Sequence, residues 1–167
     1  MSIPVITIIA RSGAGKTTLL EKLIPQLKRR GYHIATVKHH SHAGFEIDQP
    51  QKDSWRHARA GSEHVVIAAP DKLASYRLLK KELTLDEIVR EIADVDLILV
   101  EGYKNAGKPS IEIIRSGLSS EPISAPENLI AYASDIALKT SVPVFDLDDV
   151  DGLAACIESF LAQNPPT

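Results

Sequence analysis

Over residues 5–23 an apolar run, VITIIA, passes through a few small residues into a lysine, two threonines and a stretch of helical periodicity. Ala10-Arg11-Ser12-Gly13-Ala14-Gly15-Lys16-Thr17 fits the phosphate-binding pattern G-x-x-x-x-G-K-[ST], with Ala10 where the first glycine is usual. The chemistry follows from the residue types. Gly13, Ala14 and Gly15 let successive N–H groups converge on a polyphosphate, the amino end of the following helix adds its positive dipole, and Lys16 supplies a point charge. The expected cradle runs from Ser12 to Thr18, with Thr17 on a Mg²⁺ that bridges two phosphates and Thr18 on a further phosphate oxygen.

A loop of this kind needs a buried strand before it and a helix after it. Residues 3–10 are rich in Ile and Val, and Leu19, Leu20, Leu23, Ile24 and Leu27 recur at helical spacing, with Pro25 expected to kink the helix. Farther on, strands are expected at 33–38, 64–69, 73–79, 96–100, 110–114, 129–133 and 143–145. Helices are expected after Asp53, which would cap the first of them, along the stripe Leu83, Leu85, Ile88, Val89, Ile92, and over 149–162. Pro70-Asp71-Lys72 reads as a turn, so that two of the strands make an antiparallel hairpin added to a mostly parallel sheet. The fold class is therefore α/β, a three-layer P-loop NTPase fold, with ligands at the carboxyl ends of the strands.

Composition agrees with one nucleotide-binding domain over residues 1–167, with a disordered tail at 164–167. The 167 residues are 44% apolar and 25% charged, enough for one core. A formal net charge of −3 favours neither nucleic acid nor an anionic membrane, and no run approaches the ~20 apolar residues that span a bilayer. The single Cys156 lies in a helical apolar stripe and reads as a core residue. The first ten residues lead straight into the loop and read as structure rather than a leader, so a cytoplasmic protein is expected.

The strand-end rule points to two further places. The run DLILVEGYK ends a buried strand in Glu101, where a carboxylate would orient Mg²⁺ or its water shell. Asp94 and Asp96 precede that run and belong to the opposite edge of the sheet. The segment KHHSHAGFEIDQPQKDSW gathers Lys38, His39, His40, His42, Asp48, Lys52 and Asp53 after the second strand. It reads as a stretch that reaches the nucleotide phosphates or a phosphorylated second substrate, with its His and Lys as donors and Asp48 or Asp53 polarising water or completing the Mg²⁺ shell; the alternative is Asp53 as a helix cap and the rest as a solvated loop.

ARSGAGKTTLLEKL, VKHHSH, KDSWRHARAG, DLILVEGYK, IAYASD and VPVFDLDDVDGLA, in this order over nearly the whole chain, resemble the molybdopterin-guanine dinucleotide biosynthesis protein B (MobB) family. The resemblance implies a GTP-binding, weakly GTP-hydrolysing, Mg²⁺-dependent homodimer that assists a MobA-type guanylyltransferase in attaching GMP to a molybdopterin-related ligand. It carries Ser12 to Thr18 over as the phosphate cradle, Thr17 and Glu101 as the Mg²⁺ residues, and the segment from His39 to Asp53 as a cover for the nucleotide. The base-reading N-K-x-D of many GTPases is absent, and Ala133-Ser134-Asp135 is where a substitute is expected. Arg11 occupies the place of a second lysine that reaches across a dimer in some relatives. The rival reading is a small-molecule kinase, which needs an arginine-bearing lid; residues 103–128 offer only Lys104, Lys108 and Arg115 among many Pro and Ser, which argues against one.

Overall fold

The computed structural model of the chain describes residues 2–40, 44–118 and 121–165. They fall into two compact units, Met1–His39 with Leu85–Thr167, and His40–Thr84. His42 and residues 166–167 of the expected tail lie outside the described residues.

The larger unit is built on β1 (Val5–Ala10), which ends at the phosphate-type loop, followed by α1 (Lys16–Arg29) and β2 (Ile34–Lys38). After the smaller unit come α3 (Leu85–Val89), β5 (Leu97–Glu101), β6 (Ser110–Ile114), β7 (Leu129–Ser134), β8 (Val144–Phe145) and α4 (Val150–Gln163). The six strands of this unit form one sheet in the order β2-β5-β1-β6-β7-β8, with every pairing parallel. Strands buried on both faces need no polar alternation, and β5 shows the consequence. Leu97 and Leu99 pack with α1 and α4 on one face, while Ile98 and Val100 pack with Leu85 and Val89 of α3 on the other. Helices thus cover both faces, the three-layer arrangement expected for a P-loop NTPase fold. No helix among the described residues is long and apolar enough to cross a membrane.

α1 continues past Pro25 and buries Leu19, Leu20, Leu23 and Leu27. It is fastened to α4 at its far end by Arg30, which bonds Asp151 at 2.6 Å and also Glu158. Cys156 is half-buried against the same core, and burial pushes its thiol up.

The smaller unit holds α2 (Asp53–Arg59), β3 (His64–Ala69) and β4 (Lys72–Arg77). The hairpin expected from Pro70-Asp71 is present, in register from His64↔Arg77 to Ala69↔Lys72, and stands as a two-stranded sheet of its own. Two expectations change. Lys52, not Asp53, is the N-cap of α2 and no side chain caps it; Asp53 is the first helical residue, paired with Arg56 at 3.5 Å. The stripe at 83–92 gives only the five-residue α3, because beyond Val89 the bonding tightens to Glu91 N on Ile88 O and Ile92 N on Val89 O, i to i−3, before the left-handed Asp94 at φ 59.

Gly152 is where packing overrides propensity. It lies in the first turn of α4, where its N–H donates to the capping Asp149 Oδ1 at 2.9 Å. A Cβ here would sit 2.4 Å from Asp149 Oδ2 and 2.8 Å from Phe145 Cδ1. Alanine gains about 1 kcal/mol of helix propensity over glycine, whereas overpacking costs about 1–3 kcal/mol and displacing the cap about 1 more. Gly152→Ala should therefore lower stability by about 1–2 kcal/mol, read as a lower urea midpoint at constant m. An unchanged or raised midpoint would show that Asp149 and Phe145 give way freely.

Candidate functional site

The loop after β1 has the conformation that its glycines were expected to allow. Gly13 and Gly15 have φ +78 and +97, a region in which a side chain is strained, and Gly15 forms the N-cap of α1. Ala10 needs no such freedom. It is still in β1, in register with Ile113 of β6, so the departure from the usual first glycine carries no backbone strain. Lys16 folds back over the loop, its Nζ donating to the carbonyls of Ala10 and Arg11 at 3.3 Å each, and Ala14 N also donates to Arg11 O. Arg11, Ser12 and Gly13 are exposed.

Glu101 enters the site because β5 lies beside β1, with Ile8 opposite Glu101 in the ladder. Its Oε2 accepts from Thr17 Oγ1 at 3.0 Å, and Lys38, opposite Glu101 across β2, brings Nζ to 3.5 Å of Oε1. Hydroxyl and carboxylate are hard oxygen donors, and Mg²⁺ characteristically takes one or two such protein groups, completing its shell with water and phosphate oxygens. Thr17 and Glu101 fit that requirement. No group of three or more His, Cys, Asp or Glu able to hold a metal occurs among the described residues.

Just beyond Glu101 the chain is shaped tightly. Gly102 has φ +100, and a Cβ there would meet His39 Cβ at 3.1 Å; Tyr103 follows with φ 53 and its ring lies 4.3 Å from that of His39. A non-glycine residue in this conformation costs of order 1 kcal/mol or more, and such strain gathers at ligand sites. His39 N also donates to Glu101 O at 2.9 Å, which fixes the ends of β2 and β5 together.

Two residues that sequence reasoning passed over stand on the other side of the loop. Arg115 directly follows β6, and its Nη1 is 3.5 Å from where a Cβ on Gly15 would be. Asp148 follows β8, and Lys22 of α1 pairs with its Oδ1 at 2.6 Å. These residues line one cleft with Gly15, Thr18, Leu19 and Leu147. The Lys22 hydrogen bond, then its charge, and to a lesser extent the Arg115 charge, hold the Asp148 carboxyl below the usual carboxylate range against a small desolvation effect. The strand-end rule that found Glu101 would also have found Arg115, had the parallel pairing of β6 with β1 been known.

Asp135, expected near a base, instead accepts from Ser116 N at 2.7 Å, and Ser134 Oγ bonds the backbone of Ile136 in both directions. Asp94 and Asp96 lie at the amino end of β5; Asp96 accepts from His33 N at 2.7 Å.

In the smaller unit, Asp48 is drawn inward. Its carboxylate accepts from Tyr76 Oη at 3.0 Å and from Gln49 N at 2.8 Å, and a hydrogen bond from Ser54 is the largest influence holding it below the usual carboxylate range. Asp53 is exposed beside Arg56. His40 packs 5.7 Å from Phe45.

The family described as "MobB: Molybdopterin guanine dinucleotide synthesis protein B" matches residues 5–135. The molybdopterin-guanine dinucleotide biosynthesis adapter proteins of Escherichia coli and Haemophilus influenzae are 37% and 35% identical to this chain. The first similarity covers 91% of this chain and 90% of the relative; the second covers 95% and 90%. The crystal structure of molybdopterin-guanine biosynthesis protein B (mobB) superposes with a TM-score of 0.73 at 32% identity, covering 94% of this chain and 99% of that one. Bacillus subtilis MobB, at 21% identity and a TM-score of 0.67, shares the fold. From the loop through Glu101 to Asp135 the match takes in the whole β1, β5 and β6 side of the site, and the chain belongs to the MobB family.

Proposed function

We propose that the chain is a GTP-binding, weakly GTP-hydrolysing adapter in molybdopterin guanine dinucleotide biosynthesis, acting with a MobA-type guanylyltransferase and a molybdopterin-related ligand in the cytoplasm. The observation that carries the reading is the 3.0 Å contact of Thr17 with Glu101 beside a loop whose lysine is folded onto it. The adapter role is that of the relatives so named.

On this reading the loop N–H groups and the start of α1 hold the phosphates, and Lys16 exchanges its two carbonyl partners for phosphate oxygens. Thr17 and Glu101 would hold a Mg²⁺, which would supply charge neutralisation to the phosphates, and Lys38 keeps the carboxylate oriented through Oε1. Of the two carboxylates proposed to polarise water, Asp53 is the more available, because Asp48 already accepts bonds from Tyr76, Gln49 and Ser54.

The homodimer rests on the hairpin. Of β3 and β4 only Val65 is buried, while Val66, Ile67 and Leu73 are 53%, 45% and 71% exposed. A two-stranded ribbon is marginal in water without a covered face, and a second copy of the chain would provide one.

Lys16→Ala should abolish nucleotide binding with an unchanged circular dichroism spectrum, because Lys16 contacts only the loop carbonyls and no core residue. Undiminished affinity would remove the phosphate-loop assignment. Glu101→Gln should leave metal-free GTP binding intact and lose most of the Mg²⁺-dependent gain in affinity or turnover, about tenfold or more for one charge-assisted contact; equal Mg²⁺ dependence in both proteins would return Glu101 to a loop acid. Leu73→Asp should shift the species seen by light scattering from dimer toward monomer at micromolar protein, and a dimer unaffected by Leu73→Asp and Ile67→Asp would place the interface elsewhere.

A further inference from the structure

The two flanks of the phosphate loop differ in chemistry. On one are Thr17, Glu101 and Lys38, hydroxyl, carboxylate and ammonium around the metal-type site. On the other, the cleft that begins at Gly15 and Thr18 is walled by Leu19 and Leu147, carries Arg115 at its loop end, and has Asp148 at its rim. A nucleotide whose phosphates occupy the loop must leave it on one flank, and a purine ring is better matched to leucine side chains than to an ion pair. From this juxtaposition, and resting on the nucleotide reading above, we infer that this cleft takes the nucleoside half of the ligand, with Asp148 as the group that selects guanine and Arg115 beside the phosphate nearest the sugar.

The carboxylate suits guanine by hydrogen-bond inventory. Guanine presents two adjacent donors, N1–H and the C2 amino group, and a carboxylate accepts both at once; adenine presents an acceptor at N1, which a carboxylate repels. Lys22 engages only one oxygen of Asp148, Oδ1, and a carboxylate can accept about four hydrogen bonds. Lys22 thereby keeps the group ionised and in place without using up its capacity. This chain has no N-K-x-D, and Asp148, which follows β8, brings a carboxylate to the cleft beside the loop, whereas Asp135, which follows β7, bonds the backbone at Ser116 N.

The test is the base preference of Asp148→Asn, measured by calorimetric titration of the full chain with GTP, ATP and xanthosine triphosphate in Mg²⁺. Xanthine carries a carbonyl at C2, which the asparagine amide can donate to. The parent protein should bind GTP more tightly than either competitor. In the variant GTP should weaken at least about tenfold, as for loss of a charge-assisted bond, and the xanthine nucleotide should bind more tightly than it does to the parent. That gain cannot come from unfolding, and Asp148 is 79% exposed, so the core is undisturbed. A variant that loses GTP without gaining the xanthine nucleotide, or keeps the parent's preference, overturns the assignment, as does a parent that prefers ATP. In each of those cases Lys16→Ala still removes binding and the phosphate loop stands; a parent that binds no nucleotide overturns both readings together.

Discussion

The parallel pairing of β1 with β5 on one side and β6 on the other is the constraint from which the site follows. Parallel strands emerge at the same edge, so the loop after β1, Glu101 after β5 and Arg115 after β6 are delivered to one place by the register of the ladders. The register is held by burial on both faces. Ile6 and Ile8, Leu97 and Leu99, Ile111 and Ile113 point to the side covered by α1 and α4. A slip of one residue in any of these strands would send an isoleucine or leucine to the opposite face and carry the site residue at its end with it.

Much of this was legible in the residues. Apolar runs bounded by glycine and proline located the strands within one or two residues, and β3 and β6 were bounded as observed; β3 is marked by the Gly61 and Pro70 on either side of it, whereas β6, buried along its whole length, announces itself by its apolar composition. Glu101 was legible for the same reason, as a single acid closing an apolar run. The pairing order was not. Local sequence cannot say that β6 neighbours β1, and so Arg115 read as one more cation in a loop. Asp53 was misread as a cap because its side chain type suits that role, whereas the extended N-cap falls one residue earlier, at Lys52, and Asp53 is already helical.

The smaller unit shows a different limit. Its sequence has the apolar run and the turn residues of a hairpin, and the hairpin forms, with a turn one residue shorter than Pro70-Asp71-Lys72 because Lys72 already pairs with Ala69. Yet Phe45, Ile47, Leu73 and Leu78 stay exposed, and the polar centre of the unit is the Tyr76 bond to Asp48, which ties the hairpin to the loop before α2. Binary patterning specifies that a face is apolar without saying what covers it. Through the Tyr76 bond Asp48, which also accepts from a serine and a backbone amide, serves the internal structure of the unit.

Asp135 and Glu112 reach the site indirectly. Glu112 lies in the middle of β6, 2% exposed, where a carboxylate is costly unless it is well bonded. It accepts from Ile123 N at 2.7 Å and Ser124 N at 2.9 Å, bonds to a segment that returns from β6 toward β7. Asp135 meanwhile accepts from Ser116 N, the residue after Arg115. The connection that leaves β6 at Arg115 is thus anchored at its start by an acid from the end of β7 and near its finish by an acid from within β6. Two carboxylates hold the backbone from which the guanidinium reaches Gly15. An arginine on an untethered loop would lose rotamer and backbone freedom on meeting a phosphate; one on a backbone fixed at both ends loses chiefly the former.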